Sequence, residues 1–355
     1  MSTVTTSSPL APAHRRALLP AWHHVLTLSD SIGIFEHADH ATPRREEGYC
    51  TDDVARLLIA IVREPDPGRE LSELARVCLR FLADAQGVTG KARNRRSADG
   101  RWHGRRGVED CWGRSVWAFG TAAHLAADRG MRDGAMSSFG HAVGQRSPHR
   151  RAMAFAALGA AEALAADPRH SRARELLSDA VVAIGPIGVD PSWPWPEPRL
   201  AYANAAVAEA LIAAGHALGR SDVLADGLSL LEWLLDRQVV DGHLSVVPVD
   251  GAGPDDVMPA FDQQPIEVAA LADACARAQS VTGDVGWRRG VDLAVGWFDG
   301  CNDLAAPMSD PVTGGGFDGL TPNGPNLNQG AESTLALITT LQHRRAEAPP
   351  VPIIR

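Results

Sequence analysis

Carboxylates, amides and aromatic rings recur along this chain in short clusters, each standing just ahead of an apolar stretch. The clusters contain Tyr49, Asp52 and Asp53, then Glu109, Asp110, Trp112 and Arg114, then His149 and Arg150. They continue with Trp195, Glu197, Tyr202 and Asn204, with Asp262, Gln263, Gln264 and Glu267, and with Asp318, Asn328, Gln329 and Glu332. Acids crowded into one space push their proton affinities apart, so that one stays protonated while another stays ionised. Cleavage of a glycosidic bond needs such a pair, one to protonate the leaving oxygen and one to activate water. Aromatic faces beside amides and carboxylates also suit a sugar, which has apolar ring faces and many hydroxyls. Asp110 is the candidate acid and Asp53 or Glu332 the base, with Asp262 a fourth candidate and Glu197 an alternative to Asp110. Arg114, Arg150 and Arg199 keep a phosphorylated ligand open.

Each acid has a second explanation. Asp52, Asp53, Asp110 and Asp262 stand where a helix N-cap alone would favour Asp. Capping does not ask for Gln263, Gln264, Gln329 or Trp195. The glycines of the stretch 313–319 can bring backbone close to a ligand, ahead of a helix entrance with free N–H groups. Other chemistries find less support. Lys91 is the sole lysine and sits in a polar loop, so a buried Schiff-base lysine is not indicated. His37, His40, His149 and His243 lack metal-ligand spacing, and Ser115 and Ser333 have no base nearby in sequence. No metal and no cofactor is expected.

The segments that must carry these residues read as helices. Apolar periodicity predicts helices near 18–28, 54–62, 70–85, 110–127, 132–143, 152–166, 171–184, 205–218, 224–238, 268–281, 287–299 and 333–342. They fall into six pairs, one member apolar almost all round and the other amphipathic. The apolar members begin near residues 52, 110, 149, 199, 264 and 330, and such spacing indicates a closed array of helical hairpins. The fold class is therefore all-α, an (α/α)6 toroid of inner and outer rings, with every polar cluster at one end. Residues 18–345 form a single domain between a Ser/Thr/Pro/Ala-rich tail, 1–17, and a C-terminal tail, 346–355.

The composition sets the remaining bounds. The chain has 355 residues and a formal net charge of −9, which argues against a nucleic-acid partner. No long apolar run suggests a membrane span, and the first twenty residues lack the core of a signal peptide. Five cysteines are scattered without CxxC spacing, so neither a disulfide framework nor a zinc site is indicated and the cytoplasm is the expected compartment. The expected partner is an oligosaccharide or glycoside.

Five motifs carry a resemblance: Tyr49-x-Thr51–Asp52–Asp53-x-Ala55–Arg56, Glu109–Asp110-x-x-Gly113–Arg114, Ser147–Pro148, 261–267 (FDQQPIE) and 328–334 (NQGAEST). Over about residues 20–343 the chain resembles a bacterial family described loosely as glycosyltransferases or glycosidase-like proteins, whose fold resembles that of the six-hairpin glycosidases. The resemblance implies the toroid and carbohydrate activity, and an acid at the start of an inner helix as proton donor, a position held here by Asp110. At one point the chain departs from the family. Where Tyr-Asp-Asn-Ala-Arg is expected, it has Tyr202–Ala203–Asn204–Ala205–Ala206. The reading is an inverting glycoside hydrolase or a phosphorylase. Its rivals are a non-catalytic sugar binder, which Ala203 and Ala206 would suit, an epimerase, which would want paired histidines, and a lyase, with Tyr49 or Tyr202 as base.

Overall fold

The structure, a computed structural model, describes residues 19–347. It contains twelve α-helices among the described residues: α1 (His23–Leu28), α2 (Thr51–Val62), α3 (Gly68–Gln86), α4 (Asp110–Leu125), α5 (Arg129–Ala142), α6 (Arg150–Ala166), α7 (Ser171–Ile184), α8 (Ala205–Leu218), α9 (Ser221–Arg237), α10 (Pro265–Thr282), α11 (Arg288–Phe298) and α12 (Ala331–Glu347). The even-numbered helices pack in succession, α2 on α4, then α6, α8, α10 and α12, and α12 returns to α2. The ring is closed, and the fold is the (α/α)6 toroid. Helices α3, α5, α7, α9 and α11 each cover the inner helix that precedes them, while α1 packs on α12. The tail at 1–17 lies outside the described residues, and α12 runs two residues past the boundary placed at 345.

Inner helices are buried on every side, which explains their apolar composition: Ala205 to Gly215 of α8 is buried without a break. Outer helices bury one stripe, as Leu71, Leu74, Cys78, Phe81 and Leu82 do in α3. Helices α4 and α6 approach closely because Gly113 faces the Ala152 carbonyl and Gly120 faces that of Gly159, leaving no room for a Cβ. Strands are confined to ribbons of two or three residues per strand. One ribbon pairs β1 (Tyr49–Cys50) with β2 (Arg95–Arg96), and β2 with β3 (Trp102–His103), which brings a distant loop to the head of α2. No helix among the described residues is long and apolar enough to cross a membrane.

Candidate active site

The first turns of the inner helices meet at one mouth of the ring, here called the front. A cavity of about 530 Å3 opens there. Its wall contains Asp52 and Asp53 of α2, Asp110 and Arg114 of α4, Tyr202 from the loop before α8, Gln264 ahead of α10, Asp318, and Glu332 of α12. Eight residues singled out in the sequence are thus brought together. Capping does not explain the acids. The N-cap residues of α2, α4 and α10 are Cys50, Glu109 and Gln264, and none of their side chains caps the helix. Asp52, Asp53 and Asp110 lie inside the first turn, whereas outer helix α5 has an ordinary cap, Asp128 accepting from Met131 N at 2.7 Å.

Arg56 organises the α2–α12 side of the cavity. Its Nη1 donates to Asp53 Oδ1 at 2.5 Å and its Nη2 lies 2.6 Å from Glu332 Oε2. Burial, with the charges of Glu332 and Asp52 behind it, pushes the Asp53 carboxyl up to about 6 in spite of that guanidinium. The Glu332 side chain is 40% exposed. On α4, Arg114 is buried over the Phe155 ring at 3.9 Å, with its Nε 3.4 Å from Asp52 Oδ1. Opposite, the Tyr202 hydroxyl donates to Asp110 Oδ2 at 2.5 Å. Burial, and then the hydrogen bond to Asp110, raises the Tyr202 hydroxyl above its ordinary range, so it stays a donor.

Tyr202 is held by residues behind the wall. The buried Arg151 donates to the Tyr202 carbonyl at 2.6 Å, to Glu197 Oε2 at 2.6 Å and to Asn204 Oδ1 at 2.8 Å. Glu267, also buried, accepts from Asn204 Nδ2 at 2.9 Å and from the Ala203 amide. Burial pushes the Glu267 carboxyl up to about 7. Asn204, Glu197 and Glu267 are therefore positioning groups rather than parts of the cavity wall.

Other expected binding residues serve the fold. Trp112 is fully buried, and Trp195 stacks on Trp233 with ring centroids 6.2 Å apart, so neither offers a face to a sugar. Tyr49 is buried and donates to Asp30 Oδ2 at 2.7 Å. Gln263 donates to Asp303 Oδ2 at 2.5 Å and accepts from Trp297 Nε1 at 3.1 Å, while Gln329 joins Thr313 and Asp310. Asn328 Oδ1 accepts from His40 N at 3.0 Å, and Arg150 donates to the Pro196 carbonyl. Glu109 and His149 are exposed residues at the heads of α4 and α6 and do not line the cavity. Asp262 is exposed and does not line it either.

The cavity also contains Glu36, His37, Cys50, Arg56, Asn94, Arg95 and Ser333, which were not among the candidates. Arg56 was legible, since it stands three residues after Asp53 and so shares its helix face. Asn94 and Arg95 arrive only through the pairing of β1 with β2. Glu36, Cys50 and Asp53 bring donor atoms within 4.8 Å of one another. They make a poor cation cradle: Arg95 binds Glu36, Arg56 binds Asp53, and burial keeps the Cys50 thiol protonated. Below the cavity lies an axial chamber of about 60 Å3, lined by Trp117, Phe155, Ala203 and Ala206 among others. Arg63, Arg114, Glu209 and Asp273 line it too, so Ala203 and Ala206 stand in a wall that mixes apolar and charged side chains.

No protein-family model matches the chain, and neither does any curated protein. Solved structures do match in fold. A sugar epimerase from a ruminal bacterium is 12% identical with a TM-score of 0.67, the match covering 92% of this chain and 96% of that one. Cellobiose 2-epimerase from Spirochaeta thermophila is 14% identical with a TM-score of 0.63, over 91% and 94% of the two chains. A metagenome-derived glycoside hydrolase family 9 endoglucanase is 12% identical with a TM-score of 0.57, over 88% and 70%. At these identities the likeness is one of architecture, and what the chain shares with these proteins is the six-hairpin (α/α)6 toroid.

Proposed function

We propose that the chain is a carbohydrate-active enzyme that hydrolyses a glycosidic bond with inversion in the front cavity. The observation that carries this reading is the pairing of two carboxyls in opposite surroundings: Asp53, pushed up to about 6, and Asp110, which accepts the Tyr202 hydroxyl. The Tyr202 hydroxyl holds the Asp110 carboxyl in the cavity wall as an acceptor. Asp110 therefore suits the base and Asp53 the acid, the reverse of the order read from the sequence. Asp53 Oδ1 is bound to Arg56, so Oδ2 gives its proton to the leaving oxygen. Asp110 takes a proton from the water that attacks the anomeric carbon on the opposite face. Glu332, fixed by Arg56, supplies the negative charge that helps to keep the proton on Asp53.

An epimerase working through two histidines is disfavoured, because His37 is the one histidine in the cavity wall among the described residues. A lyase base would have to be Tyr202, whose hydroxyl is held protonated. The test is a panel of oligosaccharides, with and without phosphate, given to the wild type, Asp53→Asn and Asp110→Asn. The expected result is wild-type hydrolysis with an inverted anomer, abolished by either substitution while folding is unchanged. A retained anomer, an epimerised uncleaved sugar, an unsaturated product or binding without turnover would each overturn the reading.

A further inference from the structure

Residues 91–106 carry six arginines and one lysine against a single acid, Asp99, in a chain whose net charge is −9. The segment contains β2 and β3, and the register of the ribbon decides which of these cations face the front cavity. Directly opposed residues of an antiparallel pair share a face, and neighbours along a strand alternate between faces. Cys50 stands opposite Arg95 and Arg95 opposite His103, so these three share one face. The bond from Ser97 N to the Arg101 carbonyl carries the same register on to Arg101. Cys50 and Arg95 line the front cavity, which makes this the cavity face. The other face holds Tyr49, Arg96 and Trp102 and packs on the core, with Arg96 over the Phe81 and Trp102 rings at 5.5 and 5.2 Å.

The cavity face of the ribbon is thus a row of exposed cations and a histidine: Arg95, Arg101 and His103. Inside the cavity the other two guanidiniums are already engaged, Arg56 by Asp53 and Glu332, and Arg114 by Asp52. An anionic group entering the site therefore finds its partner on the ribbon. Arg101 is 78% exposed, and its contact with Asp99 Oδ2 at 2.9 Å is a surface pair within its own turn. Such pairs are worth little in water and give way to a better acceptor. Arg95 touches Glu36, whose carboxyl stands within 4.8 Å of that of Asp53. The ribbon is accordingly on the proton donor's side of the cavity, where the leaving group sits.

We propose that the cavity face of the ribbon is a subsite for an acidic sugar, in which Arg95, Arg101 and His103 hold a carboxylate or sulfate on the leaving-group unit. Only its placement on the leaving-group side rests on the assignment of Asp53 as acid. A guanidinium meets an oxyanion with two parallel, charge-assisted N–H bonds, which a neutral sugar hydroxyl cannot match. The substrate class is a short acidic oligosaccharide. Nucleic acid is disfavoured because the ribbon borders the cavity and the charge of −9 on the whole chain repels a long polyanion.

The test is calorimetric binding to Asp53→Asn, in which turnover is not expected. Two pairs of probes separate the anions: tetragalacturonate against its methyl ester, and a κ-carrageenan tetrasaccharide against its desulfated form. A short single-stranded DNA is the third probe. At least one acidic probe is expected to bind about tenfold or more tightly than its neutral counterpart, with a preference that shrinks as salt is raised. Adding Arg95→Gln and Arg101→Gln should abolish the preference, while Arg129→Gln, at an exposed arginine of α5, should keep it. If the combined variant does not fold, Arg101→Gln alone decides. Acidic and neutral probes binding alike, no acidic probe binding, a preference that survives the ribbon substitutions, or tighter binding of DNA would each overturn the proposal. Wild-type turnover is scored separately: acid-selective binding without hydrolysis would sink the hydrolase reading and leave the subsite standing, and hydrolysis of neutral glycosides without acid-selective binding would do the reverse.

Discussion

Asp53 gives the site a measurable signature in stability. Its native carboxyl titrates at about 6 against an ordinary 3.8, a difference of about two pH units. Between those values the native state holds a proton that the unfolded chain has already lost, so stability falls as pH rises through that interval. At 1.36 kcal/mol per pH unit, the loss attributable to Asp53 is about 3 kcal/mol, complete above about pH 6. Solvent screening does not dilute it, since the Asp53 side chain is 4% exposed. Asp53→Asn cannot titrate and leaves Arg56 paired with Glu332. Urea unfolding of both proteins across about pH 4 to 8, at constant ionic strength, isolates this contribution. The advantage of wild type over Asp53→Asn should shrink by about 3 kcal/mol over that range. A constant difference, or one that grows with pH, would refute the electrostatic account of Asp53 and with it the case for Asp53 as the acid.

Three further outcomes follow from the site. Tyr202→Phe removes the hydrogen bond to Asp110, worth about 1.5–3 kcal/mol for a charged acceptor, so kcat/KM should fall roughly 10- to 150-fold while stability in urea falls by no more than that amount. Arg151→Met strips three hydrogen bonds from a buried guanidinium site and leaves Glu197 unpaired; urea unfolding should show a loss of about 3–5 kcal/mol, with activity falling as Tyr202 is released. Trp112→Phe should cost roughly 1–3 kcal/mol of stability and leave KM unchanged, because the ring is core and not a sugar platform. A raised KM in Trp112→Phe would return that tryptophan to the binding surface.

The ring was legible in the sequence because burial on all sides leaves a compositional mark. The run from Ala205 to Gly215 contains only one charged residue, Glu209, and no surface helix could tolerate such a sequence. Half of the site was legible for the same reason: acids at the head of a buried helix have few places to point. The other half was not, because polar residues at these positions divide between the cavity and the seams between hairpins. Glu267 and Asp53 stand alike, each an acid in the first turn of an inner helix. Yet Glu267 is consumed by Ala203 and Asn204, some 63 residues earlier in the chain. Gln263 looked like an amide for a sugar and instead ties Trp297 to Asp303. Partners that far apart leave no local periodicity to read.

Closure of the ring also sets the order in which the molecule can come into being. Contact between α12 and α2 joins segments about 280 residues apart, as in the Gln342 side-chain donation to the Ala60 carbonyl. During synthesis from the N-terminus, α2 and α10 must each wait with an apolar flank uncovered until α12 emerges. Arg56 cannot meet Glu332 before then, so Asp53 lacks one of the charges that hold its proton. A nascent or truncated chain therefore presents sticky helices and an uncalibrated acid. The chemistry is the last property the polypeptide acquires, arriving together with the final docking event that hides its hydrophobic seam.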